Sequence, residues 1–162
     1  MTDFRSLGVS EAVSNGLAVR GIESPFQIQA LVIPEALNGG DILAKSPTGS
    51  GKTLAFAIPI VERLNTEDRP AALVLVPTRE LCAQVTEEFG LIAGDRVKVA
   101  SVYGGVPLKA QADEAKKAHV IVATPGRLQD LVERYGLLET LDRDHFYPSV
   151  ESALAAIEQG KA

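Results

Sequence analysis

Ser46-Pro47-Thr48-Gly49-Ser50-Gly51-Lys52-Thr53 joins a short apolar run at 41–45 to an apolar stretch of helical spacing at 51–64. Strand, glycine-rich turn and helix, in that order, are the context that a phosphate-binding loop requires. Gly49 and Gly51 permit a tight turn, so that successive N–H groups from Thr48 through Thr53, Ser50 among them, point inward at phosphate oxygens. The helix opening near Gly51 adds the positive end of its dipole. Lys52 would neutralise the β and γ phosphates, and the Thr53 hydroxyl would ligate Mg2+, which makes these two the candidate catalytic residues and Thr53 the candidate metal ligand. Ser46 stands where the general pattern has its first glycine, a place where a small residue is compatible with the turn. The loop specifies a nucleoside triphosphate and says nothing about its base.

Working outward, strand-like and helix-like segments alternate. Apolar or β-branched runs at 41–45, 71–76, 97–103 and 119–123 read as strands, and the continuous run Ala71-Ala72-Leu73-Val74-Leu75-Val76 predicts a strand buried on both faces. Helical spacing occupies 9–20, 26–37, 51–64, 79–92 and 108–117, and another helix could open at 126–133. This alternation predicts an α/β fold, a parallel sheet with helices on both faces. Ligands of such sheets collect at the C-terminal strand ends. Beyond Glu133 no strand is evident; Ser149 reads as an N-cap for a short amphipathic helix carrying Val150, Ala153, Leu154 and Ile157, with Gly160 ending it.

Upstream of the loop lies Gly21-Ile22-Glu23-Ser24-Pro25-Phe26-Gln27-Ile28-Gln29. A side-chain amide both donates and accepts, which suits N6 and N7 of adenine, so Gln29 is a candidate base reader. The same residues also read as a plain helix start with Pro25 at the first helical position. Three further segments follow strands and open turns or helices. Pro77-Thr78-Arg79-Glu80-Leu81 offers a hydroxyl, a helix N-terminus and a cation. Gly104-Gly105 exposes backbone N–H groups with no side chain in the way. Thr124-Pro125-Gly126-Arg127 repeats the hydroxyl, turn and cation. Each, taken singly, is equally a turn without a ligand.

Taken together and in order, these five motifs resemble the DEAD-box RNA helicase family across residues 4–134. The resemblance implies a RecA-like domain that takes ATP or ADP with Mg2+. The first motif looks like the family's Q motif, whose glutamine contacts adenine. Phe4, 17 residues before Gly21, stands where the family places an aromatic that stacks on the base. Phe26 departs from the family's usual threonine or serine. The resemblance further implies that Pro77, Thr78, Arg79, Gly104, Gly105, Thr124, Pro125, Gly126 and Arg127 line one face and hold the sugar-phosphate backbone of RNA without reading its sequence. The family's Asp-Glu-Ala-Asp carboxylates, its Ser-Ala-Thr motif and its second RecA-like domain have no counterpart after Arg127. Glu139, Asp142 and Asp144 follow no apolar strand and are not candidates. The expectation is therefore a truncated or chimeric chain, 1–134 being a partial helicase domain and 135–162 a tail of other origin. Such a chain binds nucleotide with near-zero turnover and has a sheet incomplete relative to the family. Its open edge invites self-association. The alternatives are a non-catalytic nucleotide- or RNA-binding module, or a chimeric or engineered chain in which neither ligand matters.

Composition narrows these readings. The chain has 162 residues, is 46% hydrophobic and 23% charged, and lacks tryptophan, as suits one domain with a core. A net charge of −5 leaves no broad basic field, so any RNA contact must come from a few placed groups. A single cysteine, Cys82, excludes a disulfide framework and reads as a small packed residue. His119 and His145 have no metal-ligand spacing and read as surface or strand residues. Without a signal-like N-terminus or an apolar run of membrane length, the expectation is a cytoplasmic protein.

Overall fold

A computed structural model describes residues 3–135 and Ala155. The first helix, α1 (Glu11–Val19), is capped by the Ser10 hydroxyl, which accepts from Val13 N–H. α2 (Gln27–Leu37) and α3 (Lys52–Arg63) flank the glycine-rich loop. Three strand–helix repeats follow: β1 (Ala72–Leu75) with α4 (Arg79–Ala93), β2 (Val99–Val102) with α5 (Leu108–Ala115), and β3 (Val120–Ala123) with α6 (Pro125–Tyr135). Among the described residues the sheet is three-stranded and parallel, in the order β1-β3-β2, with Ala72 and Val99 both opposite Val120. The predicted tail helix lies outside the described residues.

The central strand explains why both faces carry helices. Every residue of β3 is buried, and side chains alternate between faces along a strand. Val120 and Val122 join a core with Phe4, Val13, Ile33, Ile58, Cys82 and Phe89. Ile121 and Ala123 join a second core with Ala112, Ala115, Leu128 and Leu131. α1, α3 and α4 thus contribute to one face of the sheet, and α5 and α6 to the other. Burial of one Leu or Phe side chain contributes roughly 1.5–3 kcal/mol, so these two cores hold the strand ends in place.

Three sequence expectations differ from the structure. Residues 41–45 form no strand: all five are exposed, Leu43 fully so. Their apolar content is right for a buried strand, but no neighbouring strand among the described residues supplies a ladder. For the same reason β1 is not buried on both faces. Among the described residues it pairs only with β3, and Leu75 is 54% exposed at that edge. Between that edge and the 41–45 segment lies a cleft of about 990 Å3 lined by Val32, Ile42, Phe56, Leu73 and Val74, with Lys52 and Thr53 at its wall. Pro25 also falls outside the helix: Phe26 is the N-cap of α2, and the helix begins at Gln27.

Candidate nucleotide and nucleic-acid site

The glycine-rich loop turns where its sequence requires. Gly49 (φ +80°) and Gly51 (φ +81°) adopt the left-handed conformation that side chains disfavour. At Gly51 the demand is also spatial, since an added Cβ would lie 2.3 Å from Gln29 Nε2 and 2.7 Å from Phe26 Cδ2. α3 starts directly after this glycine, so its first N–H groups face the loop. Lys52 Nζ donates to the carbonyls of Ser46 and Pro47, each at 2.6 Å, and Ser50 Oγ donates to Pro47 O at 2.8 Å. In this conformation the ammonium satisfies itself on loop carbonyls, so a phosphate would have to exchange with them. Thr53 is half-buried in the first turn of α3. No group of three or more His, Cys, Asp or Glu side chains poised for a metal occurs among the described residues.

The adenine candidates are placed differently from one another. Gln29 reaches the loop, as expected of its position, but its amide is spent on protein. Nε2 donates to Gly51 O at 3.0 Å, Oε1 accepts from Phe26 N–H at 2.8 Å, and the residue is 1% exposed. Gln29 therefore braces the loop against the start of α2. Phe26, the residue that departs from the family pattern, lays its ring against Gly51. Phe4 is 3% exposed and belongs to the core, so neither ring face is open for stacking in this conformation. It borders a cleft of about 200 Å3 shared with Asn15, Ile22 and Glu23.

The three remaining motifs do come together, at the C-terminal ends of the three strands. Thr78 caps α4, its hydroxyl oxygen accepting from Leu81 N–H at 3.2 Å, which leaves the hydroxyl hydrogen for another acceptor. Pro77 and Arg79 are exposed beside it. The Arg79 guanidinium lies 5.2 Å from the Tyr103 ring centroid, and its Nη1 would be 3.3 Å from a Cβ added at Gly105. Gly104 and Gly105 (φ +92°) are exposed at the end of β2. Thr124 ends β3, with Pro125 and Gly126 exposed in the first turn of α6. Arg127 differs from the expectation: its guanidinium is turned inward. Nε donates to Gln111 Oε1 at 2.9 Å, Nη2 donates to Val106 O, and Asp130 lies 3.7 Å away.

Sequence reasoning passed over Gln111 and Tyr103. Gln111 is 3% exposed on the buried face of α5, beside Ala112 and Ala115. A polar residue on an apolar stripe is the signal that would have found it. Cys82 is buried, with Sγ 3.1 Å from Val122 O, and burial pushes its thiol above the ordinary value. His119, expected to be bland, is a buried brace instead: Nδ1 accepts from Lys98 N–H at 2.8 Å. Its Nε2 lies 3.1 Å from Thr66 O and 3.3 Å from Arg69 Nε.

The family model for the DEAD/DEAH box helicase matches residues 26–144, continuing past Arg134 to Asp144. A DEAD-box ATP-dependent RNA helicase CshA from Geobacillus kaustophilus is 45% identical over 137 residues, which is 83% of this chain and 29% of that protein. The crystal structure of a DEAD box protein from the hyperthermophile Methanococcus jannaschii superposes with a TM-score of 0.79 at 40% identity, covering 83% of this chain and 38% of that one. The RNA helicase Prp28 from Chaetomium thermophilum, solved bound to ADP, gives a TM-score of 0.72 at 39% identity, over 83% and 35% of the two chains. The chain thus spans about a third of the length of these relatives. A family match over most of the chain, a parallel α/β fold and a glycine loop facing a helix N-terminus place it in one family: this chain belongs to the DEAD/DEAH box helicases.

Proposed function

We propose that this chain is an adenine-nucleotide-binding part of an ATP-dependent RNA helicase. The loop takes ATP or ADP with Mg2+, Lys52 and Thr53 hold the phosphates and the metal, and Gln29 would select adenine on exchanging its bonds to Phe26 N–H and Gly51 O for the base. The bound metal would supply charge neutralisation between the phosphates. The observation that carries the reading is the packing at Gly51, where positive φ and contact with Gln29 leave no room for a side chain beside a helix N-terminus. Backbone N–H groups at a helix N-terminus favour a bound phosphate.

The ridge of Pro77, Thr78, Arg79, Gly104, Gly105, Thr124, Pro125 and Gly126 holds an RNA backbone through N–H groups, hydroxyls and one cation. Contacts of this kind position a strand without reading its sequence. In a longer relative, closure of a second domain on this ridge would couple ATP to separation of a short duplex. No helix among the described residues is long and apolar enough to cross a membrane.

Calorimetric titration with ADP and GDP, repeated on Lys52→Ala and Gln29→Ala, tests the reading. ADP binding that exceeds GDP binding and is lost in Lys52→Ala supports it. Absence of binding to either nucleotide overturns it. A second reading, self-association, is favoured by the open edge of β1 and the exposed Leu75. A constant monomer mass by light scattering across a concentration series would rule it out.

A further inference from the structure

The turn that carries Gly104 and Gly105 is held at both ends by side chains from two different helices. On its N-terminal side, Gln111 Nε2 donates to Tyr103 O at 3.1 Å. On its C-terminal side, Arg127 Nη2 donates to Val106 O. The two side chains are joined to each other by the 2.9 Å bond from Arg127 Nε to Gln111 Oε1. Gln111 is 3% exposed and the Arg127 side chain 15%, so water cannot readily replace these bonds. A glycine pair has the highest backbone entropy of any dipeptide and does not hold its own N–H groups in one direction.

We infer that Gln111 and Arg127 are positioning residues that fix the Gly104–Gly105 turn for a nucleic-acid backbone, and that Arg127 does not itself contact phosphate. This inference rests on the RNA reading above. The geometry separates two roles that the sequence merges. Arg127 spends its planar fork on a carbonyl and an amide oxygen, with its charge partly offset by Asp130 3.7 Å away. Arg79, which is exposed and stacked on Tyr103, is the cation left facing outward on this ridge. Lysine cannot stand in for Arg127, because a single ammonium cannot span both acceptors in the plane of the fork. Glutamate at Gln111 would keep the acceptor for Arg127 and lose the donor to Tyr103 O.

The experiment combines two measurements on Gln111→Met, Gln111→Glu and Arg127→Lys. The first is the binding of a short fluorescein-labelled oligouridine at several salt concentrations. The second is the backbone amide and Arg127 Nε–H spectrum of the 15N-labelled chain. The expected result is a roughly tenfold loss of affinity in Gln111→Met and Arg127→Lys, the size of a lost buried hydrogen bond to a charged group. Gln111→Glu should fall between these variants and the wild type. The salt slope should stay at the wild-type value, whereas Arg79→Ala should lower it by about 0.7, the share of one phosphate contact on a single strand. In the spectrum, the Gly104 and Gly105 amides should shift in all three variants. The Arg127 Nε–H signal should be lost to exchange in Gln111→Met.

A reduced slope in an Arg127→Ala variant would make that residue a phosphate contact and overturn the inference. Unmoved glycine amides in Gln111→Met and Arg127→Lys would do the same, whatever the affinity. If the wild-type chain fails to bind the oligonucleotide, the RNA reading falls, and the spectra alone decide whether the brace exists. Should one variant not fold, the others carry both measurements.

Discussion

Replacing Gln29 with alanine should destabilise the protein before any nucleotide is added. The side chain is 1% exposed and joins Phe26 N–H to Gly51 O through bonds of 2.8 and 3.0 Å. Each such bond contributes about 1 kcal/mol net, and the Phe26 N–H lies near the surface, where water recovers part of its loss. Loss of the buried methylenes adds about 1 kcal/mol. The sum is about 2–3 kcal/mol, or roughly 5–10 °C in melting temperature for a domain of this size. Urea denaturation of the nucleotide-free protein, followed by circular dichroism, measures it. Gln29→Glu keeps the acceptor for Phe26 N–H but sets a buried carboxylate against Gly51 O, so it should cost at least as much as alanine. Unchanged nucleotide-free stability, with ADP affinity reduced, would refute the reasoning: Gln29 would then be free until a base arrives, not a brace of the loop.

Three other expectations follow from the same geometry. Gly51→Ala should cost about 2–4 kcal/mol of stability, combining left-handed backbone strain of 1–2 kcal/mol with displacement of Gln29, and should abolish ADP binding by calorimetry. Arg79→Ala should cost less than about 1 kcal/mol in thermal unfolding, since an exposed cation–π contact contributes about 0.5–1 kcal/mol, while weakening oligonucleotide binding at low salt. Cys82 should resist iodoacetamide at about pH 8 while folded and react readily in denaturant, because burial disfavours its thiolate. The sign also sets a pH trend. With the folded thiol raised above 9.0, the unfolded chain releases its proton first, so stability from this group falls as pH climbs past that value. Denaturation midpoints of Cys82→Ala and wild type, compared on both sides of it, would check this.

The sequence was most legible where periodicity and chemistry agree. β3 could be read from four apolar residues in a row, because helices cover both faces of the sheet around it. α3 and α4 could be read from their apolar stripes. The 41–45 run misled because a strand is a property of a pair. Ile42 and Leu43 have the composition, but the described residues give them no partner. The site was legible in its glycines and not in its side-chain directions. Arg127 and Gln29 stood in the right motifs, yet burial turned both toward protein acceptors, and a motif does not record where a side chain points. Gln111 was missed because helical spacing tells which face is buried, but not that a polar residue on that face is tying down the turn just before its own helix.

The unpaired run before the glycine loop gives nucleotide affinity a second meaning. A loop that follows a laddered strand is presented to its ligand already ordered. Here the chain enters from a segment without ladder bonds, and the loop is held by the Lys52 ammonium and the Gln29 amide. A phosphate that displaces Lys52 from the Ser46 and Pro47 carbonyls must supply the order those bonds provided. Part of its binding energy is thereby spent on local folding, and the apparent dissociation constant reports on the loop as well as on the ligand. Anything that paired residues 41–45 would therefore tighten nucleotide binding without touching the nucleotide. In that sense the open sheet edge and the phosphate site form a single thermodynamic unit.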